Sequence, residues 1–371
     1  MKKIRPIAIH LPQYHPFPEN DEWWGKGFTE WTNVTKAKPL FDDHYQPHLP
    51  SDLGFYDLRL EEARMAQELL AKEYGIYGFC YYHYWFNGKR LMHEPIDRKL
   101  KNPKEDLPFM LCWANENWTR RWDGSDHEIL IEQKYSVKDD EDHIDFLLPI
   151  ITDPRYIKVN NKPIIVIYKP NILPNVQETI KCWRKKAKAA GVELYLCHMG
   201  FSYEKEWDQL VNGFDAIVDF EPFGIRRKSV LEEVHDRKRR IHKKGIINKI
   251  KRRLSKNVIK NTYNCVPYQW MGENLTPQKD FHCKIFPSIV PGWDNTSRRG
   301  NNPTLILKDS TPEHFENWLS NLKLDFTPYS EEENFIFINA WNEWAEGNHL
   351  EPDQKFGRKY LEVVKKLFLN Q

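Results

Sequence analysis

LRLEEARMAQELLAKEYGIYGFCYYHY, residues 58–84, sets a helix directly against a strand. Residues 58–75 place apolar side chains at helical spacing and close on Gly75, a helix stop. Residues 76–84 are almost uninterruptedly apolar and aromatic, the pattern of a strand buried on both faces. The same alternation runs outward in both directions. Strand-like runs stand at 4–10, 76–84, 108–114, 163–168, 192–198, 215–220, 284–290 and 334–340. Further helical patterns at 176–191, 311–323 and 357–370 fall among them, that at 311–323 opening on a Thr cap. Eight β runs alternating with helices predict an α/β chain with a parallel sheet closed into a (β/α)8 TIM barrel. A doubly wound open sheet is the alternative. It would show a Gly-rich phosphate loop after its first strand, whereas here the first strand runs into HLPQYHPFPEN. No repeat, low-complexity linker or boundary divides the chain, so one barrel domain over 1–371 is expected.

Two segments exceed ordinary loop length. Residues 11–57, rich in Trp, Pro and His, are expected to fold over the C-terminal face of the barrel. Residues 226–260 carry fifteen Lys or Arg against three Asp or Glu, a local charge of +12 in a chain of net +2. This reads as a basic helical insertion. Its plainer interpretation is a solvated helix face, and its functional one a surface for anionic lipid headgroups or a pyrophosphate-linked acceptor. Almost no aromatics interleave with these charges, and the near-neutral whole does not suit a nucleic-acid partner. Cys80, Cys112, Cys182, Cys197, Cys265 and Cys283 form no CxxC pair and are expected to be reduced. The N-terminal stretch lacks a long apolar core, and no run approaches the roughly 20 apolar residues that span a bilayer. A cytoplasmic chain, peripheral to the inner membrane face if the basic segment binds lipid, is the expectation.

Barrel active sites sit at the C-terminal ends of strands, so the residues after each β run are the candidates. The sharpest case is FIFINAWNEWAEGNHLEPD, 335–353, where an apolar strand runs into Trp341, Asn342, Glu343, Trp344, Glu346 and Glu351. Two carboxylates three residues apart between indoles suit acid–base work, because apolar walls raise a carboxyl pKa. Ordinary surface ion pairing is the plainer reading, and the buried strand and nearby aromatics weigh against it. CWANENWTRRWDG, 112–124, packs Trp113, Asn115, Glu116, Trp118, Arg120, Arg121, Trp122 and Asp123 into one loop, side chains suited to vicinal hydroxyls and sugar faces. VPGWDNTSRRG, 290–300, repeats that chemistry with Trp293, Asp294, Asn295 and Arg298. Further candidates are His83 and Trp85 in CYYHYWFNGK, His10 and Tyr14 in HLPQYH, Glu30 and Trp31 in GFTEW, and Glu221 after the sixth strand. Strand alternation requires some rings around His83 to be core, and a lone strand histidine such as His10 is as often a satisfied core group. Asp140 and Asp142 form a DxD inside a charge run that reads as a helix start, which discounts it as a nucleotide-sugar motif. There is no P-loop, HExxH or GxSxG, and the histidines show no metal spacing. No metal or organic cofactor is expected.

With these motifs in hand, the chain resembles the WbsX-type glycosyltransferase family, also described as glycoside hydrolase family 99-like. The resemblance rests on HLPQYHPFPEND (10–21), GFTEWTNV (27–34), QPHLPSDLGFYDLR (46–59), GFCYYHYWFNGKRL (78–91), CWANENWTRRWDG, PGWDNTSRR (291–299) and NAWNEWAEGNHLEPD (339–353). The link onward to family 99 is narrower, resting on the NEWxEG…EP pattern and the barrel order. Family 99 enzymes are retaining endo-α-mannosidases and endomannanases. The resemblance implies that Glu343 acts as base on a substrate 2-hydroxyl, which attacks C1 to give a 1,2-anhydro sugar, while Glu346 protonates the leaving oxygen. That route requires a 1,2-trans sugar such as an α-mannoside, and direct carboxylate attack on C1 is the alternative. The earlier motifs match WbsX and not family 99, so substrate identity does not carry over. The family name implies surface-polysaccharide (O-antigen or capsule) glycans, as an oligosaccharide or lipid-linked substrate. Three readings stand: a retaining glycosidase or transglycosylase, a nucleotide-sugar-dependent glycosyltransferase of lipopolysaccharide biosynthesis, and a non-catalytic glycan-binding barrel.

Overall fold

The computed structural model describes residues 3–120, 125–202, 213–249 and 263–369. Nine parallel strands form a nearly closed barrel. They are β1 (Arg5–His10), β2 (Gly78–Phe86), β3 (Phe109–Trp113), β4 (Lys162–Ile167), β5 (Tyr195–Gly200), β6 (Ala216–Asp219), β7 (Ile285–Phe286), β8 (Ser288–Ile289) and β9 (Phe335–Ile338). Hydrogen-bonded neighbours run β7-β6-β5-β4-β3-β2-β1-β9-β8. β7 and β8 are two halves of the predicted run 284–290, parted by Pro287. Proline has no N–H to give the ladder, so the run pairs β6 through its first half and β9 through its second. That one break turns eight predicted strands into nine, and the run still joins the two edges of the sheet.

The strands are apolar throughout because both faces are covered. Ile7, Ile9, Phe79, Met110, Ile165, Val166, Ile336 and Phe337 are buried, between a packed barrel interior and the outer helices. The helices fall where periodicity put them, at Glu61–Glu73, Val176–Ala189, Pro312–Asp325 and Lys359–Phe368. Thr311 caps the third, its side chain accepting from the His314 N–H. Asp140 and Asp142 lie in the first turns of helix Val137–Ile151, where Asp140 accepts from Thr179 and Asp142 pairs with Lys138.

Helix Glu61–Glu73 departs from a plain amphipathic pattern. Its inward face buries Leu70 and Ala71 but also Arg64, Gln67 and Glu68. Each has a partner: Arg64 takes Glu105, Glu68 takes Lys99 at 2.5 Å, and Gln67 reaches His10 and Glu351. Buried charges survive only when paired in this way.

Segment 11–57 does cross the C-terminal face, where Tyr14 meets Asn342, Glu30 meets Arg298 and His44 meets Asp294. The basic segment is helical over Val230–Lys249, with 250–260 outside the described residues. Its first two arginines are not surface groups. Arg226 is buried against Asp325, and Arg227 pairs with Glu221 at 2.5 Å. No described helix is long and apolar enough to cross a membrane. All six cysteines are free, and Cys80, Cys112 and Cys197 are buried on β2, β3 and β5.

Candidate active site

Glu343 and Glu346 lie just past the C-terminal end of β9. Asn342–Glu343 and Asn348–His349 pair antiparallel as a short hairpin, with Trp344–Glu346 as its tip. Gly347 turns the chain back at φ +57°, and a Cβ there would sit 3.1 Å from Asp294. Asn342 anchors the hairpin to β1, accepting from Leu11 N–H (2.7 Å) and donating to Leu11 C=O (3.0 Å). Both carboxylates line a cavity of about 390 Å³ at the barrel mouth.

One guanidinium organises the acids. Arg298 donates from one terminal nitrogen to Glu343 (2.7 Å), from the other to Glu346, and from Nε to Glu30 (3.0 Å). Three carboxylates thus share one fixed positive charge. Burial, with repulsion from Glu346 and Glu30, pushes Glu343 up to about 8 against the pull of Arg298. Burial lifts Glu30 to about 7, again against Arg298. Glu30 Oε2 has no partner among the described residues. Glu343 and Glu30 therefore keep their protons into the neutral range. Glu346 is the most open of the three, its side chain 19% exposed against 7% for Glu343 and 0% for Glu30.

The remaining walls are mostly aromatic: Tyr82 and Tyr84 from β2, Trp118, Tyr168, Phe201, Phe220, Phe223 and Trp293. Polar groups converge among them, including Glu116 with its partner Lys169 at 3.0 Å, Asn295, Arg298 and Arg299. Trp293 Nε1 is buried with no partner among the described residues, a donor that a sugar hydroxyl would satisfy. Flat rings plus sparse, aimed hydrogen-bonding groups suit an oligosaccharide.

Of the sequence candidates, Glu116, Trp118, Trp293, Asn295, Arg298, Glu343 and Glu346 line this cavity, and Glu30 reaches it through Arg298. His83 and Trp85 do not. They point outward from β2 onto helix Val137–Ile151, where His83 Nε2 meets His143 at 3.0 Å and Trp85 donates to Asp139. Strand alternation gives the inward positions to Tyr82 and Tyr84. Trp113 likewise packs outward on His143 and Trp183. Asn115 is spent on the backbone of Lys169, bonding its N–H and its C=O at 2.8 Å. Arg120 pairs with Glu128 on the hairpin of Trp118–Arg120 and Ser125–Ile131. Arg121, Trp122 and Asp123 lie outside the described residues.

Several others form the platform beneath the hairpin. Tyr14 donates to the Asn342 carbonyl, and Trp31 packs on Trp344 while donating to Tyr56 C=O. Trp341 packs on Phe79, and His10 contacts Gln67 at 3.1 Å. Glu351 accepts from Trp344, Tyr56 and Gln67. Asp294 accepts from His44, Gln46 and Thr296. Glu221 is taken up by Arg227. Sequence reasoning missed Tyr168, Phe201, Phe220 and Phe223 as cavity walls. Each stands at or just beyond the C-terminal end of a strand, and that position is the one signal by which the sequence marks it.

The match to the family Glycosyltransferase WbsX spans residues 6–364. The chain belongs to that family. This WbsX-family protein is 38% identical over 368 residues to "Uncharacterized protein WxcX" of Xanthomonas campestris pv. campestris (strain B100), covering 97% of this chain and 49% of that protein. The WxcX protein of strain ATCC 33913 is equally similar, at 38% over 366 residues. The chain thus spans about half the length of the curated relatives it matches. Among solved structures, a GH99 endo-alpha-mannosidase from Bacteroides thetaiotaomicron superposes with TM-score 0.55 at 14% identity, covering 99% of this chain and 97% of that one. A glycoside hydrolase-like protein gives 0.60 at 15%, covering 99% and 94%. These structures share the barrel fold. Family and fold together support a carbohydrate-active enzyme.

Proposed function

We propose that this WbsX-family barrel is a retaining enzyme of glycosidic bonds in surface-polysaccharide metabolism, acting as hydrolase or transglycosylase on an oligosaccharide or lipid-linked glycan. The observation that carries the reading is Arg298 holding Glu343 and Glu346 together at the wall of an aromatic cavity. Acid–base cleavage of an acetal requires two carboxyl groups, one to give a proton and one to take it. In the proposed sequence, Glu343 takes the proton of the sugar 2-hydroxyl as O2 closes on C1. Glu346 gives its proton to the departing glycosidic oxygen. Water or an acceptor hydroxyl then opens the 1,2-anhydro sugar at C1, with Glu346 taking that proton and Glu343 returning one to O2. The net proton balance is zero. Arg298 offsets the negative charge that passes from Glu343 to Glu346 as the bond breaks.

A second reading has one observation in its favour. Lys169, Arg298 and Arg299 bring three cations to the cavity, which suits a pyrophosphate-bearing donor or acceptor. The family name also favours a nucleotide-sugar-dependent transferase. Mass-spectrometric analysis of purified protein with 1,2-trans oligosaccharides, with and without nucleotide sugars, separates the readings. Cleavage or transfer without a nucleotide, abolished in Glu346→Gln, supports the first. Product only with a nucleotide sugar supports the second. Glycan binding without turnover, retained in Glu343→Gln, leaves a binding barrel.

A further inference from the structure

A second cavity, of about 280 Å³, lies behind the hairpin and shares Trp293 with the first. On its wall two histidines distant in sequence meet nitrogen to nitrogen. His48 Nδ1 lies 3.0 Å from His349 Nε2, across 301 residues of chain. Asp353 Oδ2 lies 3.9 Å from that same His349 nitrogen. One donor atom from each of the three falls within 4.8 Å of the others. Metal–ligand bonds of roughly 2.0–2.2 Å join donors about 3–4 Å apart, so this spacing needs only small side-chain adjustment.

The surroundings prepare each donor. His349 Nδ1 donates to the Glu351 carbonyl (3.0 Å), which leaves Nε2 as the lone-pair nitrogen. Asp353 Oδ1 accepts from the N–H groups of Lys355 (3.0 Å) and Phe356 (2.6 Å), leaving Oδ2 on the histidine side. Trp344 stacks on the His349 ring with centroids 3.7 Å apart and fixes its plane. The adjoining cavity has room for water to complete the shell.

We propose that His48, His349 and Asp353 bind one divalent transition-metal ion of the zinc class. Two imidazoles and a carboxylate favour such an ion over magnesium or calcium, which take oxygen donors. The ion clamps segment 11–57 to the strand paired with Asn342–Glu343 and so positions the hairpin. No sugar chemistry is involved, so the proposal stands or falls apart from the reading above.

The test uses the untagged chain of residues 1–371, stripped by chelator and titrated with Zn2+ and Co2+ by calorimetry, visible absorption and thermal melting. The expected result is one saturable equivalent, a ligand-field Co2+ spectrum and a raised Tm. His48→Gln and Asp353→Asn, each checked for a cooperative melt, should bind at least ten-fold more weakly. If one variant does not fold, the other decides. Absence of saturable uptake, equal binding by a folded variant, or Mg2+ binding as tightly as Zn2+ overturns the site. A neutral hydrogen-bonded histidine pair would then account for the geometry.

Discussion

Two carboxylate sites eight residues apart in one motif meet opposite fates. Glu343 and its neighbour Glu346 share a guanidinium and face a cavity. Among the described residues Glu351 is held by neutral donors, Trp344 (2.6 Å), Tyr56 (2.8 Å) and Gln67 (2.7 Å), and it does not line the cavity that Glu343 and Glu346 share. Burial raises both Glu343 and Glu351, so a raised pKa alone does not tell the two apart. What differs is access and charge. The first pair is balanced by the Arg298 guanidinium at a cavity wall, and the second is a neutral-donor buttress that keeps the hairpin in place.

The contrast breaks most sharply on activity. Glu346→Gln should cost about 10³-fold in kcat/KM, in line with loss of a general acid, while the Tm stays close to that of the parent. A folded variant with undiminished turnover on a verified glycoside would remove Glu346 from the chemistry. Arg298→Gln should come next at roughly 10²-fold, because charge stabilisation at the reacting centre is lost. It should also move the acidic limb of the pH profile upward. With Glu343 as base, kcat/KM rises with pH through about 8, and Arg298 is the group that lowers that value. An unmoved limb would assign it to another group.

Stability sharpens the other half of the comparison. Glu351→Ala leaves three buried donors without their acceptor, and chemical denaturation should show a loss of about 2–4 kcal/mol. The pH dependence has a definite sign. Glu30 has a folded pKa near 7, above the ordinary carboxylate value, so its contribution is fully present below about 4.5 and is lost as pH rises through 7. Glu30→Gln should therefore gain Tm relative to the parent on going from pH 5 to pH 8, and a constant difference would contradict the buried, proton-holding role. The smallest effect belongs to the cavity wall. Trp293→Phe should raise KM by a few-fold with kcat little changed, by losing an N–H aimed at a sugar hydroxyl.

Much of this was legible from residue order. The strand runs, the four helical patterns and the crossing segment 11–57 arise from local periodicity, because a chain that alternates buried strands with one-sided helices has few ways to bury both. Glu343 and Glu346 stood out because an apolar strand ends on them. His83 and Trp85 misled because a strand's two faces look alike when the barrel interior and the helix layer are both apolar. Only three dimensions show that Tyr82 and Tyr84 face the mouth.

What the sequence by itself determined is the barrel, the family and the acidic motif at the last strand, since each is a property of neighbours along the chain. The tertiary structure alone decided which carboxylates share a charge. Glu30, Arg298 and Glu343 are far apart in sequence, and so are His48 and His349. Electrostatic coupling depends on distance and burial, which closing the barrel creates and no spacing along the chain records.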